Sequence, residues 1–363
     1  MKSRLFFVTF ALGLLMVATG QGSAQEEFPY QIFERYLEPL VQQIGMPGLS
    51  AVIVRDDRIA WSKNYGYADV ERKIPTRSDT PYAVGGITQA ITGVVMGVCI
   101  DRFQFQIDQD IRNFAPIFPV AATSVRQVLA HATDGRFRYD AGLYASLTNV
   151  VESKACFNQS FRQAVAAEVL DRLALTRSVP GLDLARAEGA AARALFDDAT
   201  VGKYQAVLAD VAVPYRLDAR GRSFRSEYPA YGLDASGGLV STANDLAKFQ
   251  IDLERSRLTG TPFSRSTMEK MWGNAAFTIN NTTIVMPTGL GWFVTTESGQ
   301  QLVWTFGHIP NAGSALIVKL VSPSKRLTLI LLANSGGLAQ GYDLENAHIT
   351  SSPFVKVFLR LFI

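Results

Sequence analysis

Few side chains in this sequence do chemistry unaided, and their spacing limits what they can do. The three histidines, His131, His308 and His348, have no cysteine or carboxylate at ligand spacing, so no metal site is expected, and no cofactor is expected either. His348 lies in a polar stretch near the C-terminus and reads most simply as a surface residue. The two cysteines, Cys99 and Cys156, are too few for a disulfide framework. They could pair in an oxidising compartment. A buried free thiol explains Cys99 equally well, because it follows the apolar run Val94-Val95-Met96-Gly97-Val98. Cys99 therefore reads as core rather than as a nucleophile.

The ends and the charge narrow the class further. The chain starts Met1-Lys2-Ser3-Arg4, runs apolar over residues 5–18, and reaches the small residues Gly22-Ser23-Ala24 before Glu26-Glu27. That order describes a secretory signal peptide over residues 1–24, and predicts a secreted or periplasmic protein. The apolar run falls short of the roughly 20 residues that span a bilayer, so no membrane span is expected after cleavage. Losing Lys2 and Arg4 with the leader lowers the formal charge from +3 to +1. A chain so near neutral is not expected to bind nucleic acid. Residues 25–363 suffice for one large domain or two interleaved ones, and a hydrophobic content of 48% supports a packed core.

The elements that must position any site follow from periodicity. Residues 30–44 carry apolar side chains at helical spacing (Ile32, Phe33, Tyr36, Leu37, Leu40, Val41, Ile44), stopped by Met46-Pro47-Gly48. Residues 49–54 and 59–67 read as a β-hairpin turning at Asp56-Asp57. Residues 87–100 are helical again. The middle is rich in alanine, leucine and charge, with helices expected over 163–173 and 182–196 and loops at Val179-Pro180-Gly181 and Asp218-Ala219-Arg220-Gly221. A helix is expected to start near Thr242. Strands follow over 290–295, 302–306, 314–321 and 327–333, and Ser352-Pro353 promises a last helix with a capping serine and proline at its first position. Strands at both ends can share one antiparallel sheet only if the helical block is inserted between them. The expected fold is α/β (α+β), with an α/β part over 25–85 and 237–363 and an all-α lobe over about 86–236. A cleft at their junction is a natural place for a small-molecule or peptide ligand.

Several ordered motifs give this outline a family. Pro47-Gly48-Leu49-Ser50, Asn64-Tyr65-Gly66-Tyr67-Ala68-Asp69 and Asp79-Thr80-Pro81-Tyr82-Ala83-Val84-Gly85 resemble the approach to the active-site helix of the serine β-lactamases and D-alanyl-D-alanine carboxypeptidases. Val128-Leu129-Ala130-His131-Ala132-Thr133-Asp134-Gly135 resembles that family's Leu-Leu-x-His-Thr-Ser-Gly segment, and Phe137-Arg138-Tyr139 its tyrosine motif. Ser236-Gly237-Gly238-Leu239-Val240-Ser241-Thr242 and Gly307-His308 complete the series. The resemblance implies a serine that attacks an acyl carbonyl, a lysine three residues later on the same helix face, a tyrosine that shares the proton, and backbone N–H groups that hold the oxyanion.

This sequence departs from that pattern where it matters most. The serine-x-x-lysine motif reads Gly86-Ile87-Thr88-Gln89. Glycine has no side chain to attack with, and an amide takes no proton near neutral pH. Tyr139 is retained, although Ala141 stands at the third place of its motif. The strand motif reads His308-Ile309-Pro310, and proline where glycine is usual is expected to narrow that edge of the cleft. Thr88 is expected to be a packed helix residue, and His131 to hydrogen-bond within its turn. The resemblance therefore implies a non-acylating pseudoenzyme that binds cell-wall peptides or acyl compounds. Two alternatives remain open: a weak hydrolase in which Tyr139 and His308 activate water, and a partner-binding protein with an unused cleft.

Overall fold

The computed structural model describes residues 21–363 apart from 231, 280 and 323–325. The leader expected at 1–24 falls almost wholly outside them. The first described element, helix α1 (Gln21–Ile44), carries the apolar stripe read from residues 30–44 and ends at Gly45.

A seven-stranded antiparallel sheet forms the centre. Its strands are β1 (Gly48–Arg55), β2 (Arg58–Asp69), β3 (Ile74–Pro75), β4 (Phe293–Glu297), β5 (Gln300–Ile309), β6 (Gly313–Val321) and β7 (Leu327–Ala333). Their spatial order is β4-β5-β6-β7-β1-β2-β3, so the two ends of the chain share one sheet across the junction of β7 and β1. The β1–β2 hairpin turns at Asp56 (φ +48°) and Asp57 (φ +66°), the left-handed pair that a two-residue hairpin requires and that aspartate tolerates. The strand expected from 290 begins only at Phe293, because Gly291 sits at φ +78° and breaks the extended run.

Both faces of the sheet are covered, which explains why β7 reads Leu-Thr-Leu-Ile-Leu-Leu-Ala with every residue buried. Along β1, Leu49, Ala51 and Ile53 face one layer while Val52 and Val54 face the other. The first layer is α1 with the C-terminal helix, α5 (Pro353–Phe362), where Phe33 meets Phe358 and Phe362 edge-on. Ser352 precedes α5 but makes no capping bond, contrary to expectation, so Pro353 alone marks the helix start. The second layer holds α2 (Ile87–Phe103), α3 (Ala243–Thr259) and α4 (Arg265–Trp272). The α3 helix begins with Thr242 accepting from Asp245 N–H at 3.1 Å, and its Glu254 is ion-paired with Lys319 of β6 at 2.8 Å inside the core.

Helix α2 is buried from Ile87 through Cys99, the mark of a helix that runs through a core rather than over it. The lobe packed around it differs from expectation in two ways. The helix expected over 163–173 is present, running from Phe161 to Asp171 with its second half wound as a π-helix. The one expected over 182–196 is instead broken into short turns, at Leu182–Ala185, Ala187–Gly189 and Ala190–Arg193, with Gly189 between the last two. The lobe is also not all-α, because Tyr215–Leu217 and Ser223–Arg225 form a two-stranded hairpin. Among the described residues, no helix is long and apolar enough to cross a membrane.

Cys99 and Cys156 are joined in a disulfide that ties the far end of α2 to the lobe. Alkylation of the denatured, unreduced protein should therefore label no thiol, and labelling of two would contradict the pairing. Replacing both cysteines by alanine should cost about 2–5 kcal/mol of stability, read by denaturant unfolding.

Candidate active site

Helix α2 starts at Gly86, whose backbone (φ −63°, ψ −8°) is one that any residue adopts. The constraint there is space rather than conformation. The register of β4 on β5 ends at Phe293 opposite Trp304, and beyond it the outer edge of β5 lies against Gly85-Gly86. A Cβ at position 86 would lie 2.6 Å from the Phe306 carbonyl oxygen and 2.9 Å from the Tyr139 hydroxyl. Across the contact, a Cβ at Gly307 would run into the Val84 carbonyl oxygen. Two glycines facing each other thus let a strand edge and a helix start approach more closely than side chains permit.

One turn further on, Gln89 is 3% exposed and lies at the centre of a hydrogen-bonded chain. His131 Nδ1 accepts from the Asp140 backbone N–H at 3.2 Å, so its ring proton is assigned to Nε2. That proton goes to Gln89 Oε1 at 3.0 Å, and Gln89 Nε2 donates in turn to the Tyr139 hydroxyl at 2.9 Å. Every member is neutral. Burial lowers His131 from 6.5 to about 3. Burial also pushes the Tyr139 phenol well above its ordinary value, against the opposing bond from Gln89. Aromatic packing holds the chain in place: His131, itself at φ +51°, stacks on Tyr144 at 4.9 Å, and Tyr139 packs against Phe306 at 5.3 Å.

The remaining sequence candidates fall around this centre. Thr88 is fully buried, donates to Gly85 O at 2.8 Å and accepts from Leu239 N–H at 3.3 Å, so its hydroxyl is engaged within the fold. His308 is half-buried on β5, and burial holds its ring below the ordinary imidazole value, opposed by Glu345. Pro310 lies in the exposed turn joining β5 and β6, beyond the paired residues His308↔Ser314 and Ile309↔Gly313. Its missing N–H therefore removes no β5–β6 ladder bond. Tyr144 was not anticipated; its hydroxyl donates to Gln89 O at 3.2 Å, and nothing in its spacing from Tyr139 signals that role. Among the described residues, no group of three or more histidine, cysteine or carboxylate side chains could hold a metal ion.

Chemically, the centre offers no hydroxyl at position 86 and no amine at 89. Tyr139, with its phenol raised, supplies no base near neutral pH, so a water-activating pair would rest on His308 alone.

Two outcomes follow. Gly86→Ser should lower stability by about 1–3 kcal/mol through overpacking, read as a lower denaturant midpoint; an unchanged midpoint would show room at that position. His131 binds its proton more readily unfolded than folded, so its contribution is present above about pH 6.5 and lost as pH falls toward about 3. His131→Gln should flatten the stability–pH curve in that window by up to about 1.4 kcal/mol per pH unit.

The comparisons with known proteins agree on the fold. The family model described as Beta-lactamase matches residues 33–352. Curated relatives match only in part: the mitochondrial serine beta-lactamase-like protein LACTB of Mus musculus is 26% identical over 83 residues, 23% of this chain and 15% of that protein. The Beta-lactamase of Escherichia coli (strain K12) is 26% identical over 110 residues, 30% of this chain and 29% of that protein. Among solved structures, the octameric penicillin-binding protein homologue from Pyrococcus abyssi superposes with a TM-score of 0.67 at 22% identity, covering 88% of this chain and 76% of that one. The D-amino acid amidase from Ochrobactrum anthropi SV3 gives 0.67 at 17% identity, covering 92% and 99%. The class C beta lactamase from Rhodobacter sphaeroides gives 0.66 at 15% identity, covering 91% and 99%. With its family model spanning most of the chain and a matching sheet and helix arrangement, this protein belongs to the beta-lactamase family.

Proposed function

We propose that this chain is an exported, non-acylating member of the family that holds a small-molecule or peptide ligand between its lobes without forming an acyl-enzyme. The observation that carries the reading is the contact at Gly86: no hydroxyl is present, and the place a side chain would take lies against the Phe306 carbonyl and the Tyr139 hydroxyl. Gln89 supports it, because both ends of its amide are committed to neutral partners where the family's mechanism needs a basic amine. Export is supported by the basic start and short apolar run of the sequence, and by the Cys99–Cys156 disulfide, a bond that persists in oxidising compartments. The ligand class rests on the company the fold keeps, namely penicillin-binding proteins and a D-amino acid amidase.

A fluorescent penicillin tests the first half. Prolonged incubation should leave the intact mass unchanged, and a stoichiometric covalent adduct would overturn the proposal. Titration calorimetry with D-alanyl-D-alanine tests the second half; saturable heat is expected, and none at millimolar peptide would remove the ligand-binding part.

A further inference from the structure

The β3 edge of the sheet carries an unusual surface. Of the twelve large apolar side chains exposed among the described residues, four gather there: Tyr67, Val70, Ile74 and Phe224, each 37–42% exposed. They come from two segments far apart in sequence, the end of β2 with its turn into β3 and the hairpin over residues 215–225. Backbone and ion-pair contacts lock these together. Val70 N–H donates to the Tyr215 hydroxyl at 2.8 Å, Val213 N–H donates to Ala68 O at 2.7 Å, and Arg225 pairs with Glu71 at 3.3 Å.

Cations surround these apolar groups. Arg72 and Arg222 are about two-thirds exposed, each beside one aspartate, Asp69 and Asp218. Lys73, Arg216 and Arg220 are exposed and have no carboxylate partner among the described residues. Phe224 lies under two guanidinium groups, Arg216 at 4.4 Å and Arg222 at 5.7 Å from its ring centre. A cavity of about 610 Å³ opens between the two segments and α1. Met46, Tyr65, Tyr67 and Val70 supply much of its wall, Arg222 adds a cation and Glu38 an anion. The Tyr65 hydroxyl is buried without a partner.

We infer that this edge docks the protein on an anionic phospholipid surface, with the arginines and Lys73 meeting headgroup phosphates and the apolar side chains entering the interface. Charge selects the partner. A second copy of the same patch would bring like charges together, whereas an anionic bilayer offers the complementary charge. The apolar component separates a bilayer from a soluble polyanion, which has no acyl layer to receive Tyr67, Ile74 and Phe224. The inference does not depend on whether the family's acyl chemistry is lost.

Co-sedimentation of the full chain with phosphatidylcholine vesicles, with and without phosphatidylglycerol, tests it. All variants are built on the same chain, so any contribution of the apolar N-terminal run is common to them. Binding should be stronger on the anionic vesicles and weaken in high salt. Lys73→Glu with Arg220→Glu should reduce it on the order of tenfold or more. Ile74→Ser with Phe224→Ser should reduce it severalfold, with circular dichroism unchanged. Arg265→Glu on α4, which Gln301 of β5 ties to the opposite edge of the sheet through Trp272 O, should leave it intact. Equal binding to neutral vesicles would overturn the inference, as would no binding at all. So would tight binding to dextran sulfate combined with unimpaired vesicle binding by the Ile74/Phe224 variant, which would mark a polyanion site instead.

Discussion

Strand β5 rests on the first turn of α2 because positions 86 and 307 both lack a side chain, and the centre of the molecule is arranged around that contact. The strand edge sits where a residue bearing a Cβ would hold it off. Tyr139 closes the third side, its ring against Phe306 and its hydroxyl 2.9 Å from where a Cβ on 86 would lie. Behind it, the chain of hydrogen bonds runs from the Asp140 backbone N–H through His131 and Gln89 to the Tyr139 hydroxyl, so each member is satisfied without a charge. A lysine ammonium in place of the Gln89 amide would face the Nε2–H of a neutral histidine, two donors without an acceptor between them. A satisfied neutral network of this kind resists the return of a charge.

The rest of the fold supplies the rigidity. A sheet buried on both faces positions β5, and a helix buried on all sides positions Gly86 and Gln89. The Cys99–Cys156 disulfide and the Glu254–Lys319 pair tie helices of the same layer to the lobe and to the sheet. Little in this arrangement leaves slack for strand and helix to separate by the ångström or so that an added side chain would demand, because close-packed interiors transmit such a strain rather than absorb it.

Much of this was legible in the sequence. Alternation and turn chemistry identified the hairpin at Asp56-Asp57 and the three long C-terminal strands, and the order of motifs identified the family together with the two positions, 86 and 89, at which this chain departs from it. What could not be read were the distances. Phe306 and Gly86 lie 220 positions apart, and no local pattern says whether the gap between them is open or closed. The partners of Gln89 were hidden for the same reason, since a buried glutamine looks the same in sequence whatever it bonds. Composition misled in one stretch of the lobe, where alanine-rich residues 182–196 read as one helix although the chain breaks into short turns around Gly189. The cysteine pairing stayed undecided because burial and pairing select the same apolar surroundings.

The decisive feature is a closed position 86, and not merely a missing serine. The most direct test restores both lost groups at once, Gly86→Ser with Gln89→Lys, and follows acylation by a penicillin through intact mass. A closed position predicts a less stable protein that forms no adduct. Stoichiometric acylation of a stably folded double variant would contradict it, and would mean that the site had lost two side chains while keeping the space they need.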